Sequence, residues 1–366
     1  MRNLNLLIKP ASGACNLRCK YCFYADVSAN RHVPNYGMMA HDTAEELLRK
    51  ALADSKRVTL GFQGGEPTLW GLDNFRLFVE AANRLNASRA EIQYSLQTNG
   101  VLLNEDWAAF FKEHGFLIGL SLDGHRELHD SNRVDAAGQS CFSRVIKAAS
   151  LLRKTGVEFN ILSVITSKSA HHAEKLYRFY RSQNFAHLQF IPRIDDFECI
   201  ETSLTSPQYE LFLKTMFDLW YRDCMLGQGI SIRYFDNLLN MFMGHPPEQC
   251  SMNGTCQVQF TVESDGGVYP CDFYVLDKWR LGNVHTDGFE AMSASAAAKQ
   301  FIVESRLIWK ECFRCRWYKL CRGGCKRDRE PIRNGMPSPN RFCEAYKDFF
   351  NYSHEGFTKL CMHFSR

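Results

Sequence analysis

The sequence contains no stretch of 18 uncharged apolar residues, so no segment reads as a membrane-spanning helix. It also has no long basic run. The net charge is only +4 over 366 residues, which gives no electrostatic case for nucleic acid. Neither an internal repeat nor a low-complexity tract is present. The apolar stretch at the N-terminus, Leu4 to Ile8 with one Asn, gives way to Lys9 and Pro10. It is too short for a secretory signal, and the expected location is the cytoplasm. Membrane and nucleic acid are therefore not expected partners. The 45% hydrophobic and 23% charged residues describe an ordinary globular chain, whose length suggests two domains.

The chain is rich in cysteine, with 15 residues. In a reducing compartment these read as metal ligands or catalytic groups rather than disulfides. Eleven are grouped: Cys15, Cys19 and Cys22; then Cys250, Cys256 and Cys271; then Cys312, Cys315, Cys321, Cys325 and Cys343. Cys141, Cys199, Cys224 and Cys361 are scattered and read as buried filler or incidental surface thiols.

Up to residue 235, apolar strand patterns alternate with amphipathic helical ones. Strands are expected at Leu4–Lys9, Val58–Phe62, Ile92–Thr98, Leu117–Leu122, Glu158–Val164 and Leu188–Ile191. Helices are expected at Thr43–Ala53, Asn74–Leu85, Glu105–His114, Phe142–Lys154 and Ala170–Ser182. This alternation predicts an α/β fold with a parallel sheet, either a partial (β/α)6 barrel or an open doubly wound sheet, with chemistry at the strand C-termini. Gln63-Gly64-Gly65-Glu66-Pro67, Gln97-Thr98-Asn99-Gly100 and Ser121-Leu122-Asp123-Gly124 all fall at that rim, as do Thr166 and Pro192 to Asp195. A long helix is expected at Pro207–Cys224. Beyond it the alternation stops. Phe260–Glu263 and Val268–Cys271 read as a hairpin across Ser264-Asp265-Gly266-Gly267, within a loop-rich segment whose small core needs metal to fold.

Cys15, Cys19 and Cys22 have the spacing C-x3-C-x2-C in a loop after the first strand. Three thiolates can hold three irons of a [4Fe–4S] cube and leave the fourth iron open to an external chelator. Zinc is the alternative, but it favours four ligands and C-x2-C pairs. The spacing, with Tyr21 at its aromatic position, resembles the radical S-adenosylmethionine (SAM) superfamily, and Gly64-Gly65-Glu66-Pro67 resembles that superfamily's GGEP motif. The resemblance implies that Tyr21, Gly65, Ser121 and Arg133 contact SAM and that Ile194 packs on its adenine.

The eight C-terminal thiols are enough for two fully ligated [4Fe–4S] clusters or for two zinc ions. Their layout resembles the SPASM domain. That resemblance assigns Cys250, Cys256, Cys271 and Cys325 to auxiliary cluster I, and Cys312, Cys315, Cys321 and Cys343 to auxiliary cluster II. The cofactors implied are three [4Fe–4S] clusters and SAM. The implied domains are 1–235, the radical SAM partial barrel, and 236–366, the twin-cluster domain with a helical tail.

Longer segments narrow the family. Leu6-Leu7-Ile8-Lys9-Pro10, Cys22-Phe23-Tyr24, Phe62 to Leu69, Ser95 to Gly100, Ser231 to Asp236, Met252 to Cys256, Tyr269 to Tyr274 and Asp277 to Asn283 resemble the anaerobic sulfatase-maturating enzymes. That family oxidises a Cys or Ser in an unfolded or nascent sulfatase, within a C/S-x-P/A-x-R motif, to Cα-formylglycine. The resemblance implies hydrogen abstraction from the target Cβ by a 5′-deoxyadenosyl radical, Asp272 as proton acceptor, and an auxiliary cluster as electron acceptor. Tyr24 and Gln63 would position the target and Asp272. Asp195, Asp196 and Glu198 are candidates for the substrate Arg, and the reductant would be a flavodoxin or ferredoxin. Two other readings remain at this point: a SPASM maturase forming thioether or carbon crosslinks in a ribosomal peptide, and a zinc-binding scaffold protein. The sequence does not distinguish a Cys target from a Ser target.

Overall fold

The computed structural model describes residues 3–53, 55–197, 203–332 and 335–364. Its strands are β1 (Asn3–Ile8), β2 (Arg57–Phe62), β3 (Glu91–Thr98), β4 (Leu117–Ser121), β5 (Phe159–Ile165), β6 (His187–Pro192), β7 (Ser231–Ile232), β8 (Thr261–Val262), β9 (Gly267–Tyr269) and β10 (Gly282–Asn283). The first six lie within two residues of their expected bounds. The chain forms two compact units. One contains Met1–Ser121, Asp130–Phe159 and Gln257–Ile302; the other contains Leu122–His129, Asn160–Cys256 and Val303–Arg366.

In the first unit β1, β2, β3 and β4 run parallel in that order. Alternate residues Leu4, Leu6 and Ile8 of β1 face the core, as the two-residue period requires. The helices His41–Ala53, Leu72–Leu85 and Glu105–Glu113 bury their apolar stripes against this sheet. Phe62 sits at the centre, edge-on to Phe75 at 4.9 Å and to Phe78 at 5.2 Å. Such pairs contribute about 0.5–1.5 kcal/mol each beyond their area burial.

The hairpin is shorter than expected, and it does more than close a loop. Its first arm begins at Thr261 because Phe260 adopts a left-handed backbone, φ +46°. β8 pairs antiparallel with β9 and parallel with β1, Leu7 facing Thr261 and Ile8 facing Val262. The sheet of the first unit thus continues through β8, β9 and β10. The Cys271–Asp272 corner is anchored by the same β-ladder as the end of β1.

In the second unit β5, β6 and β7 run parallel. β7 was not expected: two residues are too few to show a period. The helix expected at Ala170–Ser182 starts instead at Ala173, and a separate single turn of helix, Ser167–Ala170, precedes it. Thr166 and Ser169 form a capping box on that single turn, and the chain turns at His171–His172. The apolar spacing runs on across the break, which hides it from the sequence. The helix Ser206–Met225 packs on the tail helix Cys343–Phe364 through Phe217, Phe349 and Phe357. Among the described residues, no helix is long and apolar enough to cross a membrane.

Candidate active site

Cys15, Cys19 and Cys22 lie in the loop between β1 and the helix Phe23–Ala29. The loop is strapped on both sides. Gly65 N donates to Ser12 O at 3.0 Å and Glu66 N to Ala14 O at 2.8 Å. Arg18 N donates to Val134 O at 2.7 Å and Lys20 N to Asn132 O at 3.0 Å. A Cβ on Gly65 would lie 1.9 Å from Ala14 O. Gly65, where the resemblance implies a SAM contact, must also be glycine because the cysteine loop passes so close to it. Glu66 is buried and accepts from Thr68 N, Thr68 Oγ1, Thr98 Oγ1 and Asn99 N at 2.6–3.1 Å. Asn99 Nδ2 in turn donates to Asn16 Oδ1 at 2.7 Å. The two rim motifs after β2 and β3 therefore brace the cysteine loop.

The donor set suits an iron–sulfur cube. Burial pushes the Cys15 thiol up to about 12, against the Leu17 amide, and Glu66, Cys19 and Cys22 add to the rise. A thiolate is unfavourable there unless cationic iron compensates it. Among the described residues, no three of the eleven grouped cysteines bring their sulfurs within 4.8 Å of one another, the closeness a single ion would need.

Of the residues assigned to SAM, Tyr21 and Arg133 come together, the guanidinium 5.4 Å from the ring centre. Ser121 Oγ accepts from Gln97 Nε2 at 3.0 Å. Ile194 lies in the second unit, between two residues held by Arg341: the guanidinium donates to Arg193 O and, at 2.5 Å, to the Asp195 carboxylate. Asp195 is thus already paired within the chain. Asp196 is exposed, and Glu198 and Cys199 lie outside the described residues.

Asp272 opens the short turn Asp272–Tyr274 directly after Cys271. The three residues expected to meet do so. Tyr24 Oη donates to both Asp272 oxygens at 2.5 Å, and Gln63 Nε2 donates to Oδ2 at 2.9 Å. Burial raises the Asp272 carboxyl to about 6; Lys9 and the Tyr24 hydrogen bond oppose that rise, and Glu263 adds to it. Burial and the Asp272 charge push the Tyr24 phenol well above its ordinary value, so it stays a donor. The sequence did not mark Lys9, Arg31 or Glu263 as part of this site. All three side chains are fully buried, and Glu263 Oε2 receives Arg31 Nη1 at 2.5 Å and Lys9 Nζ at 3.4 Å. The one available signal was a lysine closing an apolar strand.

In the second unit Cys312, Cys315, Cys321 and Cys343 line one cavity of about 300 Å³, with Trp309 and Tyr346 among its walls. That space exceeds a single ion. Cys250, Cys256 and Cys325 form another group, in which Cys250 and Cys256 raise the Cys325 thiol further after burial and Asp328. Ser305 Oγ accepts from Cys256 N at 2.8 Å. Cys271 belongs to the first unit. Cys141 and Cys224 are buried, as filler would be, and Cys361 is half-buried.

Residues 10–180 match the model of the radical SAM superfamily, and residues 250–326 match that of an iron–sulfur cluster-binding domain, SPASM. A cysteine-type anaerobic sulfatase-maturating enzyme of Clostridium perfringens (strain 13 / Type A) is 46% identical over 96% of this chain and 97% of its own. A serine-type enzyme of Klebsiella pneumoniae is 29% identical over 95% of this chain and 86% of its own. The solved structure of native anSMEcpe with bound AdoMet and Cp18Cys peptide superimposes with a TM-score of 0.95 at 42% identity, covering 99% of each chain. A radical SAM segment, a SPASM segment and near-complete alignment at this identity mean that the chain belongs to the anaerobic sulfatase-maturating enzymes.

Proposed function

We propose that this enzyme oxidises a cysteine within a C-x-P/A-x-R segment of an unfolded or nascent sulfatase to Cα-formylglycine, with Asp272 as the proton acceptor. The carrying observation is the buried carboxylate of Asp272, gripped by Tyr24 and Gln63 one residue after a cysteine of the cluster-binding set. The cysteine target is favoured over serine by 46% identity to a cysteine-type relative against 29% to a serine-type one. The same full-length identity favours sulfatase maturation over peptide crosslinking, and membership of an enzyme family leaves no reason for a zinc scaffold.

When bound, the three [4Fe–4S] clusters and SAM supply a 5′-deoxyadenosyl radical that removes the target Cβ hydrogen, and an acceptor for the second electron. Cys15, Cys19 and Cys22 hold the SAM cluster. Cys250, Cys256, Cys271 and Cys325 hold auxiliary cluster I, and Cys312, Cys315, Cys321 and Cys343 hold auxiliary cluster II. Tyr21, Gly65, Ser121 and Arg133 orient SAM, and Ile194 packs on its adenine. Asp272 takes the proton of the target thiol, and Tyr24 and Gln63 keep its oxygens in place. Water then replaces sulfur at the target carbon. By chain order, residues 1–235 form the radical SAM part and 236–366 the twin-cluster part. The cysteine usage suits the cytoplasm, with a flavodoxin or ferredoxin as reductant.

The test is a mass assay with SAM, dithionite and a peptide bearing C-x-P-x-R. Wild type gives the lighter formylglycine peptide, and Asp272→Asn cleaves SAM without making it. Normal turnover by the variant would remove Asp272 from its role.

A further inference from the structure

Lys9 is an unusual residue to find sealed inside a fold. Its side chain has no exposure, and its ammonium makes no hydrogen bond among the described residues. A buried ammonium is tolerated only when it is compensated. The compensation here is specific. Glu263 Oε2 lies 3.4 Å away, and the face of the Tyr24 ring lies 4.5 Å from Nζ. Glu263 is itself fixed by Arg31 Nη1 at 2.5 Å and by Ser264 N at 3.2 Å. Arg31 is anchored in turn to Pro34 O at 2.6 Å.

The backbone is shaped to admit this lysine. Lys9 N donates to Val262 O at 2.8 Å, which ties it to the hairpin. Gly64 has φ +125°, and a Cβ there would meet Lys9 Cβ and Cε at 3.2 Å and Ser12 O at 3.1 Å. The missing side chain of Gly64 is therefore the space through which the lysine stem passes beneath the rim. A merely solubilising lysine would need no such channel.

The charge lies on the face of the ring whose hydroxyl donates to both oxygens of Asp272. A cation against that face attracts the ring quadrupole, more strongly when desolvated, and so fixes the ring plane. It also withdraws electron density from the phenol and makes the hydroxyl a better donor. We propose that Lys9, anchored by Glu263, is a positioning residue that acts through Tyr24 to hold the proton acceptor Asp272 in its productive orientation. This rests on the reading of Asp272 given above.

The test is a double-mutant cycle with Lys9→Met and Tyr24→Phe in the cluster-loaded enzyme, reading formylglycine, 5′-deoxyadenosine, and KM for peptide and SAM. Lys9→Met keeps length and loses charge. It is expected to lower kcat for formylglycine about 10- to 100-fold, the range for losing a group that orients a reacting one. KM values stay within about twofold, and 5′-deoxyadenosine formed per product rises. Because Lys9 acts through Tyr24, the double variant is expected to match Tyr24→Phe alone within about twofold. Losses that multiply, or a Lys9→Met effect confined to KM, would overturn the proposal. Glu263→Gln keeps the lysine but releases its anchor, and is expected to uncouple in the same way; normal coupling there also overturns it, even if Lys9→Met fails to fold. Full turnover by Asp272→Asn would instead defeat the underlying proton-acceptor reading, whatever the outcome of the cycle.

Discussion

Arg31 and Glu263, 232 residues apart in the chain, meet at 2.5 Å with neither side chain exposed. Burial alone would raise the Glu263 carboxyl; Lys9 and Arg31 outweigh it and hold the group below its ordinary range. A depressed folded-state pKa gives stability that is present above the unfolded value, about 4.3, and is lost as pH falls through the folded one. Anaerobic urea unfolding of wild type is therefore expected to weaken steeply below about pH 4. Glu263→Gln takes from two buried cations the carboxylate they share and should be less stable at pH 7 by about 3–5 kcal/mol. The gap between the two proteins should narrow as the pH is lowered. A constant gap from pH 7 to 3 would contradict the assignment.

Gly65→Ala forces a Cβ against Ala14 O, 1.9 Å away in the present backbone. The cysteine loop must move, so the variant is expected to lose about four irons and SAM cleavage while keeping about eight irons. Iron analysis after anaerobic reconstitution, with far-UV circular dichroism to verify folding, measures this. A full iron complement with normal SAM cleavage would show that the loop tolerates the shift.

The cysteine assignments predict a count. Reconstituted wild type should hold about twelve irons and little zinc, and the Cys15, Cys19, Cys22 triple alanine variant about eight. Cys343→Ala removes one wall of the four-cysteine cavity and is expected to lose up to about four irons without abolishing SAM cleavage. Zinc in place of iron in wild type would defeat the cluster reading outright.

Arg341 fastens the segment after β6 by donating to Arg193 O, to Asp195 at 2.5 Å and to Asp328 at 3.0 Å. Arg341→Ala removes all three bonds at once. Amide hydrogen exchange is expected to speed up about tenfold or more across Ile194 to Phe197, the protection that a loss of about 1.4 kcal/mol would remove. Unchanged exchange there would mean that other contacts hold the segment.

The parts legible in the sequence are those whose signal is local. A period of two marks β1 through Leu4, Leu6 and Ile8, and the short spacings of Cys15, Cys19 and Cys22 bring those ligands into one loop by chain connectivity alone. Tyr24, Gln63 and Asp272 were found only through likeness to a known family, because nothing in their spacing says that they touch. Arg31 and Glu263 carried no signal, and Lys9 carried only that of a lysine closing an apolar strand. Their meeting depends on β8 pairing with β1, and two-residue strands have no readable period. The split at His171–His172 was hidden for the opposite reason, since the apolar stripe continues through it. Asp195 illustrates a further limit: a carboxylate at a rim looks available until its arginine, 146 residues on, is seen beside it.

Gly64 and Gly65 resist side chains for different reasons, Gly64 through its φ of +125° beside the stem of Lys9 and Gly65 through the carbonyl of Ala14. Neither obstacle is a neighbour in the chain, so no nearby second-site change can relieve a substitution at either position. Drift at this pair must wait for simultaneous remodelling of the β1 terminus and the thiol-bearing loop. Random mutagenesis that searches one codon at a time should find the pair almost immovable, while the solvent-facing positions of the helices behind it vary.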